Sequence, residues 1–321
     1  MTQEVSSGET VWVGGDVSKD SVDIAVLDGP SWCAPMSVEA LEEVVSQLSS
    51  RHVHLVVEST GGYEELVVAV FRRAGARVSV VNPKRVRDFA RACGQLAKAD
   101  PVDARVLAHF GRAMHPRPQE PMDPETRELR ALLDRRHQLV TNRVAEKNRL
   151  KLAPPTVRDD IREHIAWLTE RIGRLDEQLA DMVELPRFES RARLMRSVPG
   201  VGPITVLTVL ALLPELGSLD RKRIASLVGL APFANESGAI KGRRRIFGGR
   251  ARVRSILYIA AVVATRHNPP LKAFYERLVA SGKAKKAAFT AVARKLLTQL
   301  NAIVRDGVDW SLPPDSTNSC C

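Results

Sequence analysis

The stretch Val11–Leu27, VWVGGDVSKDSVDIAVL, decides how the N-terminal third is read. Val11 to Gly15 is a short strand-like run, Ser18-Lys19-Asp20 carries turn chemistry, and Val22 to Leu27 has period-2 character. Two such runs joined by a short polar turn predict a β-hairpin, with Asp16 just past the first strand. Outward from the hairpin, hydrophobic periodicity predicts a helix around Val38 to Leu48, a strand Val53 to Val57, a helix Tyr63 to Arg73 and a strand Arg77 to Val81. Asn82-Pro83 and Asp100-Pro101 each open a further helix, because a capping side chain followed by proline suits the first helical turn. A hairpin followed by strand–helix alternation predicts an α/β unit over residues 11–115, a mixed sheet flanked by helices.

Pro116, Pro118, Pro121 and Pro124 mark a linker after that unit. Residues 116–189 then read as helical, broken at Pro154-Pro155. The second helix carries Ile161, Ile165, Leu168, Ile172, Leu175, Leu179 and Met182 in alternating steps of four and three. That is a heptad seam, which fits a coiled coil formed either by folding back on the preceding helix or by pairing with another subunit. Residues 190–310 read as a mainly α-helical unit, with the turn Pro199-Gly200-Val201-Gly202-Pro203 and helices near 204–213, 220–228, 252–265 and 285–304. A tail, 311–321, follows.

With 321 residues, 44% of them hydrophobic and 26% charged, the chain suits two or three folded units and excludes wholesale disorder. Its net charge of +11 is unevenly spread. Residues 1–115 hold 12 basic against 15 acidic residues, 116–189 hold 14 against 15, and 190–321 hold 22 against 7. Folding requires no such asymmetry, whereas a phosphate-contacting surface does, so the C-terminal third is expected to meet nucleic acid. Cys33, Cys93, Cys320 and Cys321 have no metal-finger spacing and suggest no disulfide framework, as fits a reducing cytoplasm. The start is polar and acidic, and the longest apolar stretch, Ile204 to Leu213, is too short for a bilayer, so no export or membrane anchoring is expected.

Asp16 follows one predicted strand and Glu58 ends another, and strand ends are where mixed sheets assemble metal or substrate sites. Asp100 and Asp103, three apart at a helix start, share a face. Four converging carboxylates would offer the oxygen donors that Mg²⁺ prefers, and a two-ion site would stabilise both oxygens of a phosphoryl transfer. Each residue also has a structural reading: Asp100 as an N-cap, Asp103 as a partner of the helix dipole, Asp16 in a turn, Glu58 near a helix entrance. Asp20, Asp23 and Asp28 rank below them, lying in the hairpin turn, on the second strand or at its end.

Between positions 241 and 254 lie Lys241, Arg243, Arg244, Arg245, Arg250, Arg252 and Arg254 with no acidic residue. Glycines here keep the backbone open and Arg forks suit phosphate, while a solvated loop is the alternative. Ser237, beside Gly238 and this cationic cluster, is a candidate nucleophile, although a Ser-Gly pair also serves as a turn. The turn holding Gly200 and Gly202 looks like a helix-hairpin-helix, whose amides can hold a DNA phosphate; a tight interhelical turn is the other reading.

In order, GGDVSKDSVDIAV, VVEST, KADPVDARVLA, HQLVTNRVAEKNRL, VPGVGPITV and NESGAIKGRRRIFGGRARVR resemble the DEDD-type insertion-sequence transposases of the IS-one-ten (IS110) family, relatives of the Piv and MooV invertases. The resemblance spans roughly residues 11–307. It implies a RuvC-like, RNase H-type N-terminal domain, a coiled-coil middle and a C-terminal transposase domain. It implies that Asp16, Glu58, Asp100 and Asp103 are the Mg²⁺ tetrad and that Ser237 attacks DNA and holds a phosphoserine link. It further implies double-stranded DNA partners (element ends and target), homo-oligomers with sites shared between subunits, and, in some members, a structured guide RNA from the element's flank. Ala99 stands where relatives more often have a small polar residue, and the Ser237 loop lacks the repeated serines of some relatives. Ser218 and Ser226, in or beside predicted helices, are poor substitutes as nucleophile. A hydrolytic RuvC-like nuclease or junction resolvase would need the tetrad but not Ser237, and a non-catalytic DNA-binding protein would need neither.

Overall fold

The expected hairpin forms in the computed structural model, which describes residues 10–48, 52–94, 100–233, 236–237, 240–241 and 245–311. Strand β1 (Val11–Val17) pairs antiparallel with β2 (Ser21–Val26), and the Ser18 hydroxyl donates to the Ser21 carbonyl at 2.7 Å to close the turn. Strand β1 runs two residues further than expected, so Asp16 lies within it rather than beyond it. A third strand, β3 (Ser31–Pro35), extends the sheet on the far side of β2 and was not anticipated. Its sequence, SWCAP, lacks β-branched residues and ends in proline, which only an edge strand tolerates. Strands β4 (Val53–Glu58) and β5 (Arg77–Val81) add in parallel to β1, giving the order β3-β2-β1-β4-β5. This mixed sheet is compatible with an RNase H-like domain.

Alternation along the strands gives the sheet two apolar faces. On one, Val13, Val22, Ile24, Leu55 and Val57 pack with Leu41 of α1 (Val38–Gln47) and Phe71 of α2 (Glu64–Arg73). On the other, Val56 and Val81 meet Val86 of α3 (Pro83–Ala92) and Val106, Leu107 and Phe110 of α4 (Asp100–Met114). Helix starts follow the capping logic: Ser37 accepts from the Ala40 amide and Asn82 from the Lys84 amide. His54, buried and stacked on Trp12 with ring centroids 4.4 Å apart, is hydrogen-bonded to the Ser79 hydroxyl at 2.9 Å. Ser79 in turn donates to the Pro116 carbonyl, and the Gln119 amide donates to the Val78 carbonyl. The first residues of the proline-rich stretch thus cover the outer edge of β5. A compact unit Met1–Pro121 is followed by a second, Met122–Cys321.

In the second unit, α5 (Pro124–Leu152) and α6 (Pro155–Val183) fold back on each other around Ala153-Pro154. Leu168 and Ile172 of the heptad seam pack on Leu139, and Leu179 and Met182 join a cluster with Leu129 and Leu133. Arg136 pairs with Asp176 across the hairpin. Of the two readings of the seam, folding back is the one found within this chain. Helices α7 (Pro186–Arg196), α8 (Pro203–Leu212), α9 (Arg221–Val228), α10 (Ala251–His267), α11 (Pro269–Ala280) and α12 (Lys285–Asp306) surround a core that includes Leu207, Ile224, Leu257, Leu296 and Leu300. Helix α11 was not anticipated, yet Asn268 caps it, accepting from the Leu271 amide ahead of Pro269-Pro270. Before α10, β6 (Pro232–Phe233) pairs with β9 (Arg245–Ile246), and β7 (Glu236–Ser237) pairs with β8 (Ile240–Lys241). The tail from 312 lies outside the described residues.

Candidate active site

Register places the first two carboxylates. Strands β1 and β4 pair in parallel through Gly15 and Val57, and Asp16 and Glu58 are the next residue on each. Laterally adjacent residues of a sheet project to the same face. That face is identified by Gly14 and Val56, two residues before each carboxylate: Val56 packs with α4, and a Cβ on Gly14 would collide with the Ala104 carbonyl oxygen of α4. Gly111 plays the same part further along, lying against Trp12 and Val56. Glycines are needed because the helix backbone lies directly on the sheet. The contacts also set the helix direction, since Trp12 meets Gly111 and Gly14 meets Ala104, Leu107 and Ala108. Helix α4 therefore runs opposite to β1, and its first turn, with Asp100 and Asp103, falls towards the end of the strands that carries Asp16 and Glu58.

Asp103 is partly buried, as are Asp16 and Glu58, and all three interact with their surroundings. Asp100 begins α4, and its side chain lies outside the described residues. Among the described residues, no three His, Cys, Asp or Glu side chains are placed to hold one ion. The donor chemistry and the shared sheet face nonetheless suit a hard divalent cation, since every candidate donor is a carboxylate oxygen.

Asp23, ranked low from sequence, sits directly opposite Asp16 in the β1–β2 ladder and on the same face. The signal was available in the hairpin itself: a turn centred between Ser18 and Ser21 pairs 16 with 23. Asp23 also pairs with Cys33 of β3, and its hydrogen bond and charge push the Cys33 thiol up from its ordinary value. Asp20 lies in the turn, and Asp28 follows β2 with φ 59.

The loop after Glu58 is tied down by Glu64. Its carboxylate accepts from the Thr60 hydroxyl at 2.7 Å and the Gly62 amide at 2.8 Å. Burial alone would raise this carboxyl, but those hydrogen bonds, with the Thr60 amide, hold it below the usual carboxylate range.

In the second unit, the backbone of Ser237 pairs with Ile240 in a tight two-strand ladder; its side chain, like those of Lys241 and Arg245, is outside the described residues. Arg243 and Arg244 lie wholly outside them. The remaining arginines have partners within the fold. Arg250 grips Glu215 with both guanidinium nitrogens, at 2.5 and 2.6 Å, and donates to the Leu212 carbonyl at 3.0 Å. Burial would raise the Glu215 carboxyl, yet Arg250 and, more weakly, Arg130 hold it low. Arg252 pairs with Asp134, and Arg254 donates to the Val228 and Gly248 carbonyls. A guanidinium so engaged has fewer donors left for phosphate. Gly200, with φ 96, is where α10 comes close, since a Cβ there would lie 2.5 Å from Ala264 Cα. Gly202 is exposed and precedes α8 as its N-cap.

The same chain matches known proteins in two consecutive blocks. Residues 13–153 match the DEDD-type IS110 transposase family, and residues 192–276 match the family described as Transposase IS116/IS110/IS902. The pilin gene-inverting protein of Moraxella lacunata is 28% identical over 307 residues, covering 92% of this chain and 95% of the relative. The transposase for insertion sequence element IS1111A of Coxiella burnetii is 23% identical, covering 79% of this chain and 78% of the relative. A 43.6 kDa protein of insertion element IS110 from Streptomyces coelicolor is 24% identical, covering 85% and 87%. The first block contains the strand ends and α4 turn that carry the acidic residues, the DEDD family name implies dependence on a divalent metal, and the second block contains the serine-bearing ladder; the chain belongs to the IS110 family of insertion-sequence transposases and is a DNA recombinase.

Proposed function

We propose that this transposase cuts and rejoins DNA strands with two sets of groups: the carboxylates Asp16, Glu58, Asp100 and Asp103, and the hydroxyl of Ser237. The observation that carries the first set is the register of β1 and β4 together with the reversed run of α4, which support convergence of strand ends and helix start. The four carboxylates would hold Mg²⁺, which when bound supplies charge stabilisation to a phosphate under attack. Ser237 is carried over from the family resemblance, with Lys241, Arg243, Arg244 and Arg245 of the same segment holding phosphates. Arg250, Arg252 and Arg254 anchor the residues that follow to Glu215, Asp134 and the Val228 and Gly248 carbonyls, and the turn at Gly200 and Gly202 offers backbone amide to a DNA phosphate.

Ser237 Oγ forms a bond to the scissile phosphorus as the bond from phosphorus to the departing strand breaks. The hydroxyl proton leaves to water, and the departing oxygen takes one up. Because a phosphodiester is exchanged for a phosphoserine ester, rejoining needs no outside energy source: the new strand's hydroxyl attacks the phosphoserine and frees the serine. The N-terminal sheet is read as a RuvC-like domain over 11–115, the α5–α6 hairpin as the coiled-coil part of 116–189, and 190–310 as the transposase domain. A dimer or tetramer acting on element ends and target DNA, with a structured flanking RNA as guide, completes the assignment.

The test is recombination in cells, scored as excised circular junctions from a substrate that keeps the native flanks. At matched expression, Asp16→Asn and Ser237→Ala should each abolish junctions, and removing the flanking RNA segment should do the same. Junctions from Ser237→Ala would replace the phosphoserine chemistry with a metal-only nuclease, and junctions from Asp16→Asn would remove the carboxylate site.

A further inference from the structure

The slight negative balance of the N-terminal third conceals a polarised surface. Helix α1 carries three glutamates and no basic residue, whereas α3 carries four basic residues and one acidic, the basic ones all exposed. Helix α4 continues the second pattern. Arg105, His109 and Arg112 recur at helical spacing along one flank of α4, beside Ala104 and Ala108, which face the sheet. They line one wall of a cleft of about 460 Å³, and Leu27, Asp28 and Gly29 of the β2–β3 turn line the other.

The cleft is built to exchange its counter-charge. Arg112 bridges Asp28 at 3.0 Å, but both side chains are more than half exposed, so solvent screens the pair and leaves it weak. Arg105 and His109 make no ion pair among the described residues, and His109 is set edge-on against Phe89 with centroids 5.1 Å apart. At a rise of about 1.5 Å per residue, Arg105 and Arg112 are about 10 Å apart along α4, close to three nucleotide steps at about 3.4 Å each. Arg105 stands about 3 Å along the axis from Asp103 but on the opposite flank of the helix, as residues two apart do.

We propose that this cleft holds the sugar-phosphate backbone of the duplex DNA being cut, with Arg105 and Arg112 each neutralising a phosphate. The choice of DNA rests on the proposed function, because the same unit carries the carboxylates proposed to cut it. Phosphate contacts of this kind fix the position of the duplex and carry no sequence information.

The test measures binding by the full-length protein without added metal, as anisotropy of a labelled DNA duplex and of an RNA duplex of the same sequence, across a salt series. Arg105→Gln combined with Arg112→Gln should weaken DNA binding and make the slope of log K against log salt less negative by about 1.8, at about 0.9 per lost contact. Asp28→Asn, which removes the competing carboxylate, should tighten DNA binding, so the outcome does not rest on one variant's folding. Arg73→Gln, whose arginine pairs with Glu42 on the acidic side, should change neither. An unchanged slope in the double variant, no gain from Asp28→Asn, or a loss confined to RNA would overturn the proposal. Strand cleavage by Asp16→Asn is read in parallel. If that variant still cut while the arginine pair lost binding, the carboxylate site would fall and the cleft would stand.

Discussion

The two blocks that carry the proposed site residues are built in opposite ways. In the N-terminal unit, acidic side chains sit on a continuous sheet, fixed by a parallel register and by a helix so close that only glycine fits beneath it. In the C-terminal unit, the serine sits on a ladder of two residues per strand, and Arg250, Arg252 and Arg254 are spent on the fold's own carbonyls and carboxylates. A site on regular elements can be derived from register alone. One on a short ladder cannot, and its assignment depends on the family.

The largest break in that contrast would come from Gly14. Gly14→Val should drive α4 off the sheet, costing about 3 kcal/mol or more by overpacking and abolishing cleavage, measured by denaturant melts and strand-cutting assays. A variant of normal stability and activity would show that α4 is not pressed on β1. A comparable effect should appear with pH. Burial, aided by the charges of Arg77 and His115, lowers His54 from an ordinary 6.5 to about 4. Protons therefore bind the unfolded chain first as pH falls below 6.5, and stability should decline from there to about pH 4 by on the order of 3 kcal/mol. His54→Phe should remove that part of the slope, and melts showing the same slope would place the titration elsewhere.

On the C-terminal side, Glu215→Gln should cost about 1–2 kcal/mol by loosening Arg250, with little change in the melting behaviour of the N-terminal unit. The contribution should be present above the unfolded carboxylate range and fade as pH falls through the lowered folded value. Equal destabilisation of both units would contradict their description as separate cores. The smallest effect concerns Cys33. Asp23→Asn should lower its thiol pKa and speed alkylation a few-fold at neutral pH, and an unchanged rate would mean Asp23 does not govern that thiol.

Much of the N-terminal architecture was legible because strand alternation and proline-capped helix starts are local signals. Strand β3 is hard to read from sequence because SWCAP has no β-branched residue and ends in proline, leaving only Trp32 and Ala34 to mark its inner face. Strand position alone ranks Asp23 low, whereas hairpin register pairs it with Asp16. The arginines at 250, 252 and 254 read as free charge because their partners, Glu215, Asp134 and two backbone carbonyls, are distant in sequence or carry no charge. The net charge of the N-terminal third hides the basic residues of α3 and α4 behind the glutamates of α1.

The proposal is that strand-end carboxylates and Ser237 serve one reaction. It is tested most directly by incubating the full-length protein with native-flank DNA and Mg²⁺, then isolating protein–DNA adducts under denaturing conditions and mapping the linked residue by mass spectrometry. The expected result is a phosphoserine adduct at Ser237 in the wild type and none in Asp16→Asn, Glu58→Gln or the metal-free reaction. An adduct on another residue, or one that forms undiminished in Asp16→Asn, would contradict the account.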